Sequence, residues 1–177
     1  EAGGGKGFAA ISHTDARDRN GGSLADALRG AWLPKVTRGW FFRAETFFSV
    51  ARYLDSVGAN ADFLSHSHGE GFLRFFNERV QWHGIYFLDE PESALSPKRQ
   101  LELLRLLFEI QKSARAQVIM ATHSPILMAV PGAELLGLSR GGIDPITLRE
   151  TAHFRLLHAF CDDPDGFVRS ALDGDED

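Results

Sequence analysis

Gly84-Ile85-Tyr86-Phe87-Leu88-Asp89-Glu90-Pro91 is the stretch whose reading decides the rest of the chain. A short apolar run ends in two adjacent carboxylates and a proline. Runs of this length bounded by a turn signal fit a buried parallel strand, although periodicity alone leaves a buried helix open. Carboxylates at the carboxyl end of such a strand stand where open α/β sheets place their ligands. Asp89 there suits a hydrated magnesium ion, which takes one or two protein oxygens and fills its remaining positions with phosphate and water. Glu90 then suits a general base acting on a water that attacks a phosphate. The plain alternative is a buried strand followed by an acidic turn.

The chain downstream continues in α/β fashion. Glu92-Ser93-Ala94-Leu95-Ser96-Pro97 reads as a loop ending in a helix cap and a first-turn proline. Leu101, Leu103, Leu104, Leu107, Phe108 and Ile110 predict an apolar helix to about Lys112. Residues 116–121 predict a second buried strand, which ends in Thr122-His123-Ser124-Pro125. A helical turn over 126–130 closes at Pro131-Gly132. A third strand is expected over 134–138 and a fourth, alternating element over 145–149. Helices are expected over 151–160 and 164–172, before an acidic tail at 173–177. Strand, helix, strand, turn, strand in this order predicts a parallel sheet with right-handed crossovers.

Upstream, residues 1–22 are rich in glycine and polar residues and read as loop. Gly3-Gly4-Gly5-Lys6-Gly7 does not make a phosphate loop: Gly7 stands where Ser or Thr is needed, and no strand precedes the glycines. A short helix is expected over 23–31, a strand over 37–42 and a helix over 46–57. Residues 62–68 lead through Gly69-Glu70-Gly71 into a helix carrying Phe72, Phe75, Phe76 and Val80. Small and polar residues before a helix expose free backbone amides, an anion site in principle. By itself this stretch is simplest as a plain capped helix. His66 and His68 lack a third ligand and read as loop residues rather than a metal site.

Composition bounds the rest. The 177 residues suit one domain or a large piece of one, and 44% hydrophobic with 24% charged residues argues against disorder. The net charge of −5 gives no support to a broadly basic nucleic-acid surface. With Cys161 as the single cysteine, no intrachain disulfide or cysteine metal site forms, and a reducing cytoplasmic location is expected. No apolar run reaches membrane-spanning length. No internal repeat or clear linker divides the chain.

Taken together, the motifs resemble the nucleotide-binding domains of the ABC ATPase group, closest to its soluble, non-transporter, SMC-like or AAA-type members. Residues 85–91 match the Walker B strand. Ser93-Ala94-Leu95-Ser96 falls where the group has its D-loop, Ala121-Thr122-His123-Ser124 matches the switch-histidine motif, and Ser67-His68-Gly69-Glu70 resembles the signature loop. The resemblance covers about residues 37–140. It implies a mostly parallel P-loop NTPase-like α/β sheet flanked by helices, in a single domain over 1–177 that is incomplete at its N-terminus. Within it the signature loop and helix occupy 62–82, and the Walker B to switch-histidine core occupies 84–140.

The resemblance implies ATP and magnesium as cofactors, with hydrolysis to ADP and phosphate. Asp89 would hold magnesium, Glu90 would polarise the attacking water and His123 would contact the γ-phosphate. Ser67 and Gly69 would reach across a homodimer interface to the nucleotide on the other subunit, and Glu70, Ser93 and Ser96 would complete the cofactor-binding set. A further, unidentified protein partner is compatible with it. Three departures stand out. No phosphate loop with its lysine is found, Arg43-Ala44-Glu45 stands where a glutamine normally follows the strand, and Ser96 replaces the usual D-loop aspartate. Two other readings stay open. One is a non-catalytic interaction or regulatory module on the same fold, and the other is the ATPase subunit of a transporter or DNA-repair complex.

Overall fold

The computed structural model of this protein describes residues 68–174 together with 36, 38–44, 46 and 49. Expectations for 1–22, 23–31, most of 46–57, 62–67 and the last three residues of the tail lie outside the described residues. Ala44, Thr46 and Ser49 are helical, so the helix expected from 46 begins directly after the first strand.

Three strands pair in parallel in the order β1 (Gly39–Arg43), β2 (Gly84–Asp89) and β3 (Ala116–Ala121). Helix α1 (His68–Arg79) precedes β2, and α2 (Pro97–Ser113) carries the chain from β2 to β3. Residues opposite each other include Phe41, Phe87 and Ile119 in one row, and Arg43, Asp89 and Ala121 in the last row. Strand β1 runs to Arg43, past the expected end at 42. Close pairing at its start needs a glycine: a Cβ on Gly39 would stand 2.3 Å from the Ile85 carbonyl oxygen.

The core lies between one face of this sheet and the two helices. Phe42, Tyr86 and Leu88 meet Phe72, Phe75, Phe76 and Val80 of α1 and its end, and Leu103, Leu107 and Ile110 of α2. The buried residues recur three or four apart along both helices, the period that lays one stripe against a sheet. Phe42 packs edge-on to Phe75 and Phe76 with centroids 5.8 and 5.1 Å away, a geometry the ring quadrupoles favour. The Tyr86 hydroxyl donates to the Trp82 carbonyl at 2.9 Å, and burial pushes its pKa up. Helix α2 is more apolar in sequence than in use, since Leu101 is exposed while Leu103 is fully buried.

The strands are less buried than expected. β2 alternates, with Tyr86 and Leu88 inside and Phe87 39% exposed, and β3 has no fully buried residue. β3 is an edge among the described strands, and Phe41, Phe87 and Ile119 are all exposed.

The expected third and fourth elements do not extend the parallel sheet. Strands β4 (Leu136–Ser139) and β5 (Gly142–Pro145) form a separate antiparallel hairpin. The reason is local: the two residues Arg140-Gly141 close a tight turn onto Gly142, whose φ of +140° suits glycine. Residues 145–149 do not alternate as a strand. Thr147 donates to Glu150 through both its amide (2.8 Å) and its hydroxyl (2.6 Å), nucleating a 3₁₀ turn over Leu148–Glu150. These hydrogen bonds, the hydroxyl's first, hold the Glu150 carboxyl below the usual range. Between the sheet and the hairpin lies the short α3 (Pro125–Met128), and α4 (Ala152–Asp162) and α5 (Pro164–Asp173) follow as expected. No helix among the described residues is long and apolar enough to cross a membrane.

Leu103→Ala, at a fully buried contact, is expected to lower unfolding stability by about 2–5 kcal/mol. Phe87→Thr, on the exposed face, should cost less than about 1 kcal/mol. Urea unfolding of both variants checks this, and equal losses would contradict the one-sided core.

Candidate functional site

The carboxyl ends of the three strands define the site. The last register row sets Arg43, Asp89 and Ala121 side by side. Arg43 Nε donates to Asp89 Oδ2 at 2.7 Å, so the first carboxylate faces a guanidinium from the neighbouring strand. The ladder runs one step further, with the Glu90 amide donating to the Ala121 carbonyl at 3.0 Å.

Glu90 adopts a left-handed conformation, φ 46° and ψ 53°, unusual for a residue with a side chain. Three features hold it there. Its amide is tied to β3, its carbonyl accepts from the Ser93 amide (3.1 Å) and hydroxyl (2.8 Å), and Pro91 is fully buried behind it. A non-glycine residue in this region costs on the order of 1–3 kcal/mol, retained where the surroundings over-determine it. The turn directs Glu90 off the end of the strand, where its Oε1 lies 3.3 Å from His123 Nε2. Both side chains are more than half exposed, so the pair is open to a ligand. The His123 ring also lies against His153, from the first turn of α4, at 4.8 Å between centroids.

Around this pair runs a set of polar contacts that the strand and helix patterns do not reveal. Glu92, in the 3₁₀ turn Pro91–Ala94, accepts from the Thr122 hydroxyl at 2.7 Å and from the His123 amide at 2.6 Å. The Ser124 hydroxyl caps α3 by accepting from the Leu127 amide and donates to Gln100 Oε1 at 2.5 Å. Gln100 in turn donates to the Leu95 carbonyl at 3.1 Å.

Asp89, Glu90 and His123 are thus brought together. The other sequence candidates take different places. The Ser93 hydroxyl is engaged by the Glu90 carbonyl, and Ser96 is the N-cap of α2, accepting from the Arg99 amide at 3.4 Å. Gly69 is buried in the first turn of α1 against this same segment: a Cβ there would meet Arg99 Cγ at 3.2 Å and the Ala94 carbonyl oxygen at 3.4 Å. Glu70 pairs with Arg99, which also bonds Glu102 at 2.6 Å. Ser67 lies outside the described residues. Sequence reasoning missed the roles of Glu92, Gln100 and His153. Glu92 was within reach as a third carboxylate in Asp89-Glu90-Pro91-Glu92, whereas His153 has no local signal.

A parallel sheet backed by helices, an acidic pair ending its central strand and a Thr-His-Ser turn ending the next define an α/β fold of the P-loop NTPase type. Residues 51–129, less than half of the chain, match the family model described as AAA domain, putative AbiEii toxin, Type IV TA system. The chain is also similar to the OLD nuclease of Thermus scotoductus, at 36% identity over 70 residues, which is 40% of this chain and 13% of that protein. The chain therefore matches only a small part of that relative's length. The family match speaks for nucleotide-binding, ATPase-type character.

The fit of Gly69 against α2 is testable. Gly69→Leu should displace Arg99 from Glu70 and cost about 1–3 kcal/mol in urea unfolding, as overpacking does. A variant as stable as the wild type would show that Gly69 is not held closely there.

Proposed function

We propose that this chain carries the carboxylate and histidine side of a magnesium–nucleotide site, and that its activity is hydrolysis of ATP to ADP and phosphate. The observation that supports this most is the meeting of Glu90 and His123 at 3.3 Å beside Asp89, at the open end of the parallel sheet. Phosphoryl transfer is mainly positioning and charge stabilisation, which suits groups held by backbone ties rather than by loose loops.

The residues fit magnesium in one way only. No cluster of three His, Cys, Asp or Glu side chains able to hold a metal occurs among the described residues. Magnesium needs no such cluster when phosphate and water complete its shell, so Asp89 alone would anchor it, and the bound ion would neutralise phosphate charge. Glu90 Oε1 would accept a proton from the attacking water, and His123 Nε2 would donate to a terminal phosphate oxygen. Head-to-tail pairing of two copies through ATP, with Ser67 reaching the nucleotide of the other copy, completes the reading drawn from the ABC-like motifs. The chemistry would drive work in a larger assembly, and the name of the Thermus relative makes a nuclease one candidate for it.

A second reading rests on one observation. Arg43 holds Asp89 Oδ2, the group that would hold the cation, which suits a module that keeps the fold without turnover. Arg43→Gln separates the two. Under the catalytic reading Arg43 yields to the cation, and the variant changes ATP affinity little. Under the other reading the variant gains a magnesium dependence that the wild type lacks.

Calorimetric titration with ATP and magnesium should show binding that weakens in Asp89→Asn, down to the roughly millimolar range that corresponds to ~4 kcal/mol. Glu90→Gln should keep that binding while phosphate release falls about 100-fold or more. Unchanged release in Glu90→Gln removes Glu90 from the chemistry, and a folded wild type that binds no ATP contradicts hydrolysis by this chain itself.

A further inference from the structure

The geometry points to Glu92 as a positioning residue: its carboxylate clamps the turn after β2 to the residue after β3, and so sets where the His123 imidazole meets Glu90. What His123 then does rests on the nucleotide-site reading above, but the clamp is independent of it.

The chain leaves β3 at Ala121 and enters α3 at Pro125, so three residues turn between them. Each uses its polar groups on a defined partner. The His123 amide donates to Glu92 Oε1 at 2.6 Å, and the Thr122 hydroxyl donates to Glu92 Oε2 at 2.7 Å. Thr122 Oγ1 also accepts from the Ser124 amide at 3.1 Å. One carboxylate therefore orders two consecutive residues directly and a third through Thr122. Hydrogen bonds to a charged acceptor are about twice as strong as neutral ones. Ser124 and Gln100 make a second bridge between the same two segments, 2.5 Å long.

Among the described residues, the imidazole itself has little else to hold it. The His123 side chain is 65% exposed, and its contacts are the Glu90 carboxylate and the His153 ring. Its place is thus inherited from its backbone, and its backbone from Glu92. The same turn holds Glu90, because Ser93, the residue after Glu92, binds the Glu90 carbonyl twice. Glu92 sits where one displacement moves both members of the pair. A glutamine could still accept from the His123 amide through its single carbonyl oxygen, whereas alanine leaves that amide and the Thr122 hydroxyl without an acceptor.

The test is a proton NMR comparison of the histidine rings in the purified 177-residue chain, with His123 assigned through His123→Asn. In the wild type a nuclear Overhauser cross-peak is expected between the His123 and His153 rings, whose centroids are 4.8 Å apart. Folded Glu92→Ala should lose that cross-peak and shift the His123 ring signals, and Glu92→Gln should restore both in large part. Should Glu92→Ala fail to fold, Thr122→Val, which removes the Oε2 contact and the acceptor of the Ser124 amide but keeps the Oε1 contact to the His123 amide, should weaken the cross-peak. A cross-peak and ring shifts that stay at wild-type values in Glu92→Ala, or in Thr122→Val where that variant carries the test, overturn the clamp. Adding magnesium and ATP to the wild type separates the two claims. His123 signals that ignore the nucleotide count against the nucleotide-site reading, while the cross-peak still judges the clamp.

Discussion

The structure depends on the parallel pairing of β2 with β3, carried one residue past the strands by the bond from the Glu90 amide to the Ala121 carbonyl. That step brings two chain reversals to one place, the left-handed turn at Glu90 and the three-residue turn from β3 into α3. Once both turns start from the same rung, Glu92 can reach Thr122 and His123, and Ser93 can reach back to Glu90. Buried side chains support the rung from behind: Leu88 and Pro91 are almost completely covered, so the exposed acidic end stands on a fixed base. Rigidity in the core and openness at the strand ends are two results of one arrangement.

Electrostatics at the strand ends divides the carboxylates by partner. Asp89 faces a guanidinium, Glu90 faces an imidazole, and Glu92 faces an amide and a hydroxyl. Three carboxylates within four residues repel one another, and each is given a different partner from the two flanking strand ends. The pairs at Asp89 and Glu90 are partly exposed, so they contribute little to stability and stay exchangeable for a ligand. The Glu92 contacts lock backbone rather than a second charge. This is the arrangement expected when two groups act on a ligand and a third holds the frame.

Much of this was legible from residues alone, for physical reasons. Apolar runs ending in Asp89-Glu90-Pro91 and in Thr122-His123-Ser124 mark neighbouring parallel strands because both periodicity and turn chemistry agree there. The three- and four-residue spacing of Phe72, Phe75 and Phe76 marks α1 in the same way. The hairpin was not legible as such, since a run containing Leu136 and Leu138 fits a sheet strand as well as it fits a hairpin arm. The deciding signal was the Arg140-Gly141 turn. Residues 145–149 were misread because the Thr147–Glu150 contact outweighs a weak alternation. The contacts of Glu92, Gln100 and His153 join positions 24 to 31 residues apart, and no local pattern encodes such pairs.

The central claim is that Asp89, Glu90 and His123 face one magnesium–nucleotide ligand. The most direct measurement replaces magnesium by manganese, whose unpaired electrons broaden the NMR signals of nearby nuclei, and adds it with ATP to the isotopically labelled chain. Selective broadening of the amides of residues 89, 90, 92 and 121–124, abolished by Asp89→Asn, is the expected result. Broadening spread evenly over the surface, or centred away from these two turns, would contradict it.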